Sequence, residues 1–351
     1  MKRLLAILAV AVSCSASSDS YPEWRWPDPE GPDEPVTTEP NPSIVAQGWT
    51  NVTSSYASLP EGLAIYRSPD QLEGVKAIAY IAVVPLDKFG WDVWSIDDPE
   101  NKGTDDALRT PAEVYGSNPS ALIINGGYFF VSGSKRYNAS VAVSGGRTYG
   151  VNLNYASQDW VTYYYPTRGV FWQKGDVLET GWTYYTTSGK HYLYSAPAEN
   201  SWENDPLQAP DALFPVKASD FAPETAIGGG PVLIYDGRVV NSWKQEMFYG
   251  DGSDDKMPLA RHPRTAIGVA PADGGGRSLI LFVCEGRGMT EGVAGLNFEE
   301  LAAVMESLGC TDALNLDGGG SSCMLVGGQE TIKVSDGAER PVGSVVYIKV
   351  K

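Results

Sequence analysis

Asp317 stands where an apolar run, Ala313-Leu314-Asn315-Leu316, breaks into Gly318-Gly319-Gly320-Ser321-Ser322. Consecutive glycines take positive φ freely and let successive backbone N–H groups close on an anion, so the turn presents a carboxylate beside a nest of donors, with Ser321 and Ser322 adding hydroxyls. A tight turn in which Asp317 bonds its own backbone is the plainer alternative. A second carboxylate, Glu285, follows the apolar stretch 279–283 and precedes Gly286-Arg287-Gly288; Glu285 and Arg287 would share a face if the strand continued. Arg264 opens the run Thr265-Ala266-Ile267-Gly268-Val269, just after Arg261-His262-Pro263, where Pro263 biases His262 to extended geometry. Either arginine alone is as readily half of a solvated ion pair. Two more glycine corners adjoin apolar runs: Asn125-Gly126-Gly127-Tyr128-Phe129, in which Asn-Gly is also a hairpin signal, and Gly228-Gly229-Gly230-Pro231. Together, two carboxylates, two guanidinium groups and glycine-rich donors suit an anionic ester. Arginine forks match phosphate oxygens, and paired carboxylates can divide proton transfer and oxocarbenium stabilisation at an anomeric carbon.

The elements that position these groups are mostly strands. Residues 77–84, 265–270 and 342–350 carry strand-like patterns, and residues 279–283 read as a strand buried on both faces. Two helix starts are legible as capping boxes: Thr110-Pro111-Ala112-Glu113, with proline at the first helical position, and Asn297-Phe298-Glu299-Glu300, which places Phe298, Leu301, Ala302, Met305 and Leu308 on one face and stops at Gly309. The expected architecture is α+β: strand-dominated twisted mixed sheets, a few flanking helices, and glycine-rich strand ends meeting in one pocket. Residues 151–204 are rich in aromatics, including Trp160, Tyr163, Tyr164, Tyr165, Trp172, Trp182, Tyr184, Tyr185 and Tyr192; strand propensity at 162–165 and 183–187 favours sheet faces over sugar-stacking platforms.

The ordered set Asn125-Gly126-Gly127-Tyr128-Phe129, Gly228-Gly229-Gly230-Pro231, Arg264-Thr265-Ala266-Ile267-Gly268, Glu285-Gly286-Arg287 and Asn315 to Ser322 resembles the motifs of the phosphodiester glycosidase family, from about Leu63 to Lys351. The resemblance implies hydrolysis of a sugar 1-phosphodiester, with N-acetylglucosamine as the model sugar. It casts Asp317 and Glu285 as the acidic pair and Arg264 and Arg287 as phosphate binders, Arg264 counting with the acids as catalytic. Asn125, Gly126, Gly127, Gly229, Gly230, His262, Thr265, Asn315, Gly318, Gly319, Gly320 and Ser321 would shape the substrate pocket. Relatives commonly carry Asp where this chain has Glu285, whose longer side chain would shift the reach of that carboxylate. Two competing readings stay open: a non-catalytic surface glycan-binding lipoprotein, and a phosphodiesterase attacking phosphorus rather than the anomeric carbon.

The start, Met1-Lys2-Arg3 followed by an apolar stretch at 4–12, has the pattern of a secretory signal too short to span a bilayer. Ala11-Val12-Ser13-Cys14 resembles a lipobox, so residues 1–14 read as a lipoprotein signal with lipidation at Cys14, although its usual Leu is missing. Residues 15–43 read as a Pro/Glu-rich disordered tether and 44–351 as one domain, giving an exported cell-envelope protein of bacterial type that meets a membrane only through its anchor. A formal net charge of −17 argues against nucleic acid or an anionic membrane as partner and requires local positive charge where an anionic glycan or sugar phosphate binds. With only His191 and His262 present, a histidine-rich zinc centre is excluded. No cofactor is expected, though the acidic loop Asp251-Gly252-Ser253-Asp254-Asp255 leaves calcium open. Cys310 and Cys323 flank the Asp317 turn and could be cross-strand neighbours, as a disulfide or as buried thiols.

Overall fold

The computed structural model describes residues 44–56, 59–248, 259–272 and 275–351. Cys14, the signal, the tether and the acidic loop 251–255 lie outside the described residues. Three sheets carry the fold. An eight-stranded sheet places Ala79–Pro85, Arg277–Cys284, Arg264–Pro271, Asp312–Asn315 and Val232–Tyr235 side by side at its centre. A seven-stranded sheet is centred on Thr225–Gly228, Arg168–Lys174 and Val177–Tyr185, and a five-stranded sheet on Met324–Val326, Leu122–Asn125 and Ser344–Val350.

These strands form where the sequence is apolar on both faces. Residues 278–284 of the Arg277–Cys284 strand are all buried, as is every residue of Asp312–Asn315 and Leu122–Asn125. One apolar cluster draws Ile65, Phe89, Ile124, Phe171, Trp182, Ile267, Leu281 and Leu314 from all three sheets. Burying each such side chain contributes about 1.5–3 kcal/mol.

The sheets differ from expectation in one respect. Their ladders among the described strands are antiparallel, and the only parallel pairing is an isolated bridge, Asp98 to Gly150. Parallel neighbours need long crossovers, usually helical, and the described α-helices are few: α1 (Pro111–Ser117) and α2 (Phe298–Ser307). Both capping boxes form as expected. In α2 the Asn297 side chain accepts from Glu300 N at 2.8 Å and the Glu300 carboxylate accepts from Asn297 N at 3.0 Å. Its buried face is Phe298, Leu301, Ala302 and Met305, with Leu308 buried at the C-cap and Gly309 at φ +78° behind it. Among the described residues no helix is long and apolar enough to cross a membrane.

The aromatic stretch divides. Trp182 and Tyr184 are buried in the sheet, whereas residues 162–165 form no strand, only a bridge between Ala156 and Tyr164. Asp159 explains the failure, because its carboxylate takes the Val161 and Thr162 N–H groups at 2.8 and 2.7 Å and folds a turn that leaves Trp160 exposed.

Cys310 and Cys323 are not neighbours. Cys310 packs beneath the eight-stranded sheet and Cys323 in a separate cluster with Ile123 and Leu325, because the Asp317 turn joins strands of two different sheets rather than closing a hairpin. Cys284, Cys310 and Cys323 are free, buried thiols. All of them should alkylate in denaturant without reductant and resist alkylation in the native protein; a Cys310–Cys323 disulfide peptide in non-reducing mass mapping would contradict this arrangement.

Candidate active site

Asp317 leaves the end of the Asp312–Asn315 strand between two sheets and is clamped there by main-chain and amide bonds. Its N–H donates to Gly126 O at 3.1 Å, and its carbonyl accepts from Asn125 Nδ2 at 2.7 Å. Asn125 Oδ1 in turn accepts from Thr265 Oγ1 at 2.7 Å and from Cys323 N at 3.1 Å. One buried amide thus ties the Arg264–Pro271 strand to the five-stranded sheet at the point where Asp317 emerges. Asn125, Thr265 and Asn315 are fully buried, so they fix the corner rather than line an open surface.

The glycine corners are close approaches of backbone. A Cβ on Gly127 would collide with the Gly228 carbonyl, one on Gly229 with the Asn315 carbonyl, and one on Gly126 with Ser344. Gly230, at φ +133°, accepts the Tyr128 hydroxyl at 2.8 Å and Asn315 Nδ2 at 2.8 Å through its carbonyl. Asn315 Nδ2 also reaches the Tyr128 oxygen at 3.0 Å. The structure therefore brings together the Asn125, Gly228 and Asn315 motifs, with Tyr128, absent from the expected site residues, as their link.

The Asp317 carboxylate accepts from Gly318 N at 2.9 Å. Burial pushes its carboxyl up to about 6, against the downward pull of the Ser321 hydroxyl, the Gly318 N–H, Arg340 and Arg287. Gly318 lies against the Pro263 carbonyl, and Gly319 N donates to that carbonyl at 2.9 Å. Gly319 takes φ +60° beneath the Arg287 guanidinium, and Gly320 lies under Arg340.

The arginines take different places. Arg264 is 2% exposed; its Nε donates to Leu296 O at 2.8 Å and Nη2 to Ala260 O at 2.9 Å, with the guanidinium 4.2 Å over the Phe298 ring. Burial lowers it to about 10, so it stays charged at neutral pH. Arg287 is exposed, 3.7 Å from Asp336 and 3.5 Å from Ser335 Oγ. Arg340 binds Asp336 at 2.6 Å and the Ser321 hydroxyl at 3.4 Å. Asp336 and Arg340 were not legible as site residues: a charge pair four apart in a polar loop is ordinary on any surface. Around Asp317 two guanidinium groups, Arg287 and Arg340, thus converge, both shared with the Asp336 carboxylate.

Glu285 does not share a face with Arg287. The strand stops at Cys284, Gly286 packs against Pro263 and Ala294, and Arg287 adopts φ +57°. Glu285 is 4% exposed; its Oε1 accepts from Lys333 N at 3.0 Å and its Oε2 is buried without a hydrogen-bond partner. In this geometry it braces the loop at Lys333. His262 pairs through its backbone with Leu296 and borders a groove of about 680 Å³, lined also by Arg261, Arg287, Val293 and Ala294. Among the described residues no cluster of three or more His, Cys, Asp or Glu side chains could hold a metal ion.

The family profile described as phosphodiester glycosidase matches residues 118–349. Over 88 residues the chain is 38% identical to the SPbeta prophage-derived uncharacterized protein YomE of Bacillus subtilis (strain 168), covering 25% of this chain and 13% of that protein. The fold is similar to the catalytic domain of zebrafish N-acetylglucosamine-1-phosphodiester alpha-N-acetylglucosaminidase, auto-inhibited by its pro-peptide (TM-score 0.53, 18% identity, 84% of this chain and 86% of that one). It is also similar to a hypothetical protein from Synechocystis (TM-score 0.51, 18% identity, 86% and 68%) and a putative exported protein from Burkholderia pseudomallei K96243 (TM-score 0.51, 17% identity, 78% and 74%).

Proposed function

This chain belongs to the phosphodiester glycosidase family, and from that premise we propose that it hydrolyses a sugar 1-phosphodiester at the bond between the anomeric carbon and the phosphate oxygen. The observation that carries this reading is Asp317 itself: a buried carboxylate on a partly exposed residue, fixed at a junction of sheets and raised to about 6, beside Arg287 and Arg340 and next to Gly318, which lies against the Arg264 side chain. In the proposed reaction water supplies its oxygen to the anomeric carbon, the C–O bond breaks, and a phosphomonoester departs with the electron pair. Arginine stabilises that leaving group, which needs little protonation at neutral pH. Asp317 acts in its ionised form, as base, nucleophile or stabiliser of the oxocarbenium-like carbon.

The glycine-rich strand ends would form the pocket for the sugar, and the groove beside Arg287 and His262 would take the aglycone. The N-terminal signal and tether motivate an exported, lipid-anchored enzyme acting on envelope or extracellular glycans. Purified full-length protein turning over an α-linked N-acetylglucosamine 1-phosphodiester in ¹⁸O water should leave label in the free sugar. Label in phosphate would mean attack at phosphorus, and absence of turnover on a panel of sugar phosphodiesters would leave glycan binding as the better reading.

A further inference from the structure

Arg168 begins the Arg168–Lys174 strand, one strand away from the Gly228–Gly230 corner: Val170 pairs with Gly228, and Gly229 N donates to the Gly169 carbonyl at 3.3 Å. Its own carbonyl is held by Asn152 Nδ2 at 3.3 Å. The side chain then runs to Phe248, where the guanidinium carbon lies 5.2 Å from the ring centroid. Phe248 stands 5.6 Å from the Tyr128 ring and 6.1 Å from Phe298, and Phe298 carries Arg264 on its face. Two phenylalanines therefore form a continuous floor with an arginine at each end and Tyr128 against it. The Tyr128 phenol is pushed up by burial, by Asp317 and by Glu246 and is pulled back by Arg264 and Arg168, so two carboxylates and two guanidinium groups act on one ring.

What distinguishes Arg168 is an orphaned donor: the Glu246 carboxylate acts on its charge only from beyond ion-pair distance. Its Nε is buried without a hydrogen bond, and among the described residues no carboxylate lies within ion-pair distance of it. The nearby Glu246 carboxylate is already taken by Val232 N, Gly169 N, Ser242 Oγ and Trp182 Nε1. A buried donor left empty is unfavourable unless something else fills it.

We propose that Arg168 is a second anion-binding residue of this site, holding an oxyanion of the substrate on the Tyr128 side, at the end of the Phe248–Phe298 floor away from Arg264. It deepens the phosphodiester reading and rests on it for the identity of the substrate. The oxyanion has two possible sources: the reacting phosphate itself, or a further acidic group, such as a carboxylate, on the glycan. A guanidinium fork takes either in the same way.

The test is Arg168→Gln in the full-length protein, read first by binding of inorganic phosphate in calorimetry, which needs no turnover. Phosphate affinity should fall about tenfold or more, the scale of one lost charge-assisted pair, while Arg168→Lys recovers part of it. Kinetics then separate the sources. A similar fall in kcat/KM on neutral-sugar and uronic-acid phosphodiesters assigns Arg168 to the reacting phosphate, and a rise in KM confined to the uronic-acid substrate assigns it to a second charge. Unchanged phosphate affinity with only a lowered Tm would reduce Arg168 to a structural role and overturn the inference. A wild-type protein that binds phosphate through Arg168 but hydrolyses nothing would instead refute the proposed reaction.

Discussion

Replacing Asp317 by Asn should remove turnover of sugar phosphodiesters, by at least about 10²–10⁴-fold in kcat, the range of a positioned carboxylate acting on a proton or a developing charge. The same substitution should not destabilise the protein at neutral pH. The folded state holds the Asp317 proton more tightly than the unfolded chain does, since burial raises the carboxyl to about 6 from an ordinary value near 3.9. Its contribution to stability is therefore fully present below about pH 4 and is lost as pH rises through 6. Above pH 6 the ionised group costs on the order of 3 kcal/mol, a cost that asparagine lacks. Asp317→Asn should thus raise Tm at pH 8 and lose that advantage near pH 4. In the wild type, kcat/KM should climb with pH to a plateau with a midpoint near 6, because the ionised form works and the diester phosphate does not titrate in this range. A rate that falls above pH 6 would recast Asp317 as the general acid, and an active Asp317→Asn would remove it from the chemistry.

The parts of this molecule that could be read from sequence are those whose cause is local. Capping boxes at Thr110 and Asn297 are complete within four residues, and both form. The Arg277–Cys284 strand announces itself because it is apolar on both faces. The glycines at 126, 127 and 229 signal close approach without saying to what, and the answer, carbonyls and side chains of distant strands, exists only after folding. Pairing across long separation is what escaped. The Cys310 and Cys323 positions looked like neighbours across a turn, yet the intervening chain passes from one sheet to another. Glu285 and Arg287 kept strand spacing on paper, but a left-handed residue at Arg287 turned them apart. Asp336 and Arg340 carried no local pattern at all, since an arginine's partner is set by tertiary placement.

Arg264→Lys should lower kcat/KM on a phosphodiester by about 10²–10³-fold, the loss that follows removal of one preorganised donor to a developing negative charge. Charge is nominally conserved, so the argument rests on shape and burial. The guanidinium is immobilised through Nε to Leu296 O and Nη2 to Ala260 O while stacked on Phe298, an arrangement that keeps its plane fixed. An ammonium carries its three donors on a single atom, so it cannot span the Leu296 and Ala260 carbonyls as the fork does while aiming a donor at a leaving phosphate. It is also a compact, strongly hydrated ion whose pKa drops when buried, so part of its charge would be lost near neutral pH. The lost anchors would lower stability by about 1–3 kcal/mol, which makes Tm alone uninformative. The discriminating measurement is a comparison of leaving groups. On an aryl glycoside of the same sugar, whose departing phenolate has no phosphate to grip, Arg264→Lys should lose little beyond its stability effect. An equal loss on both substrates would mean that Arg264 only holds the Ala260 and Leu296 loops in place, and the phosphate would then have to be bound from Arg287, Arg340 and Arg168.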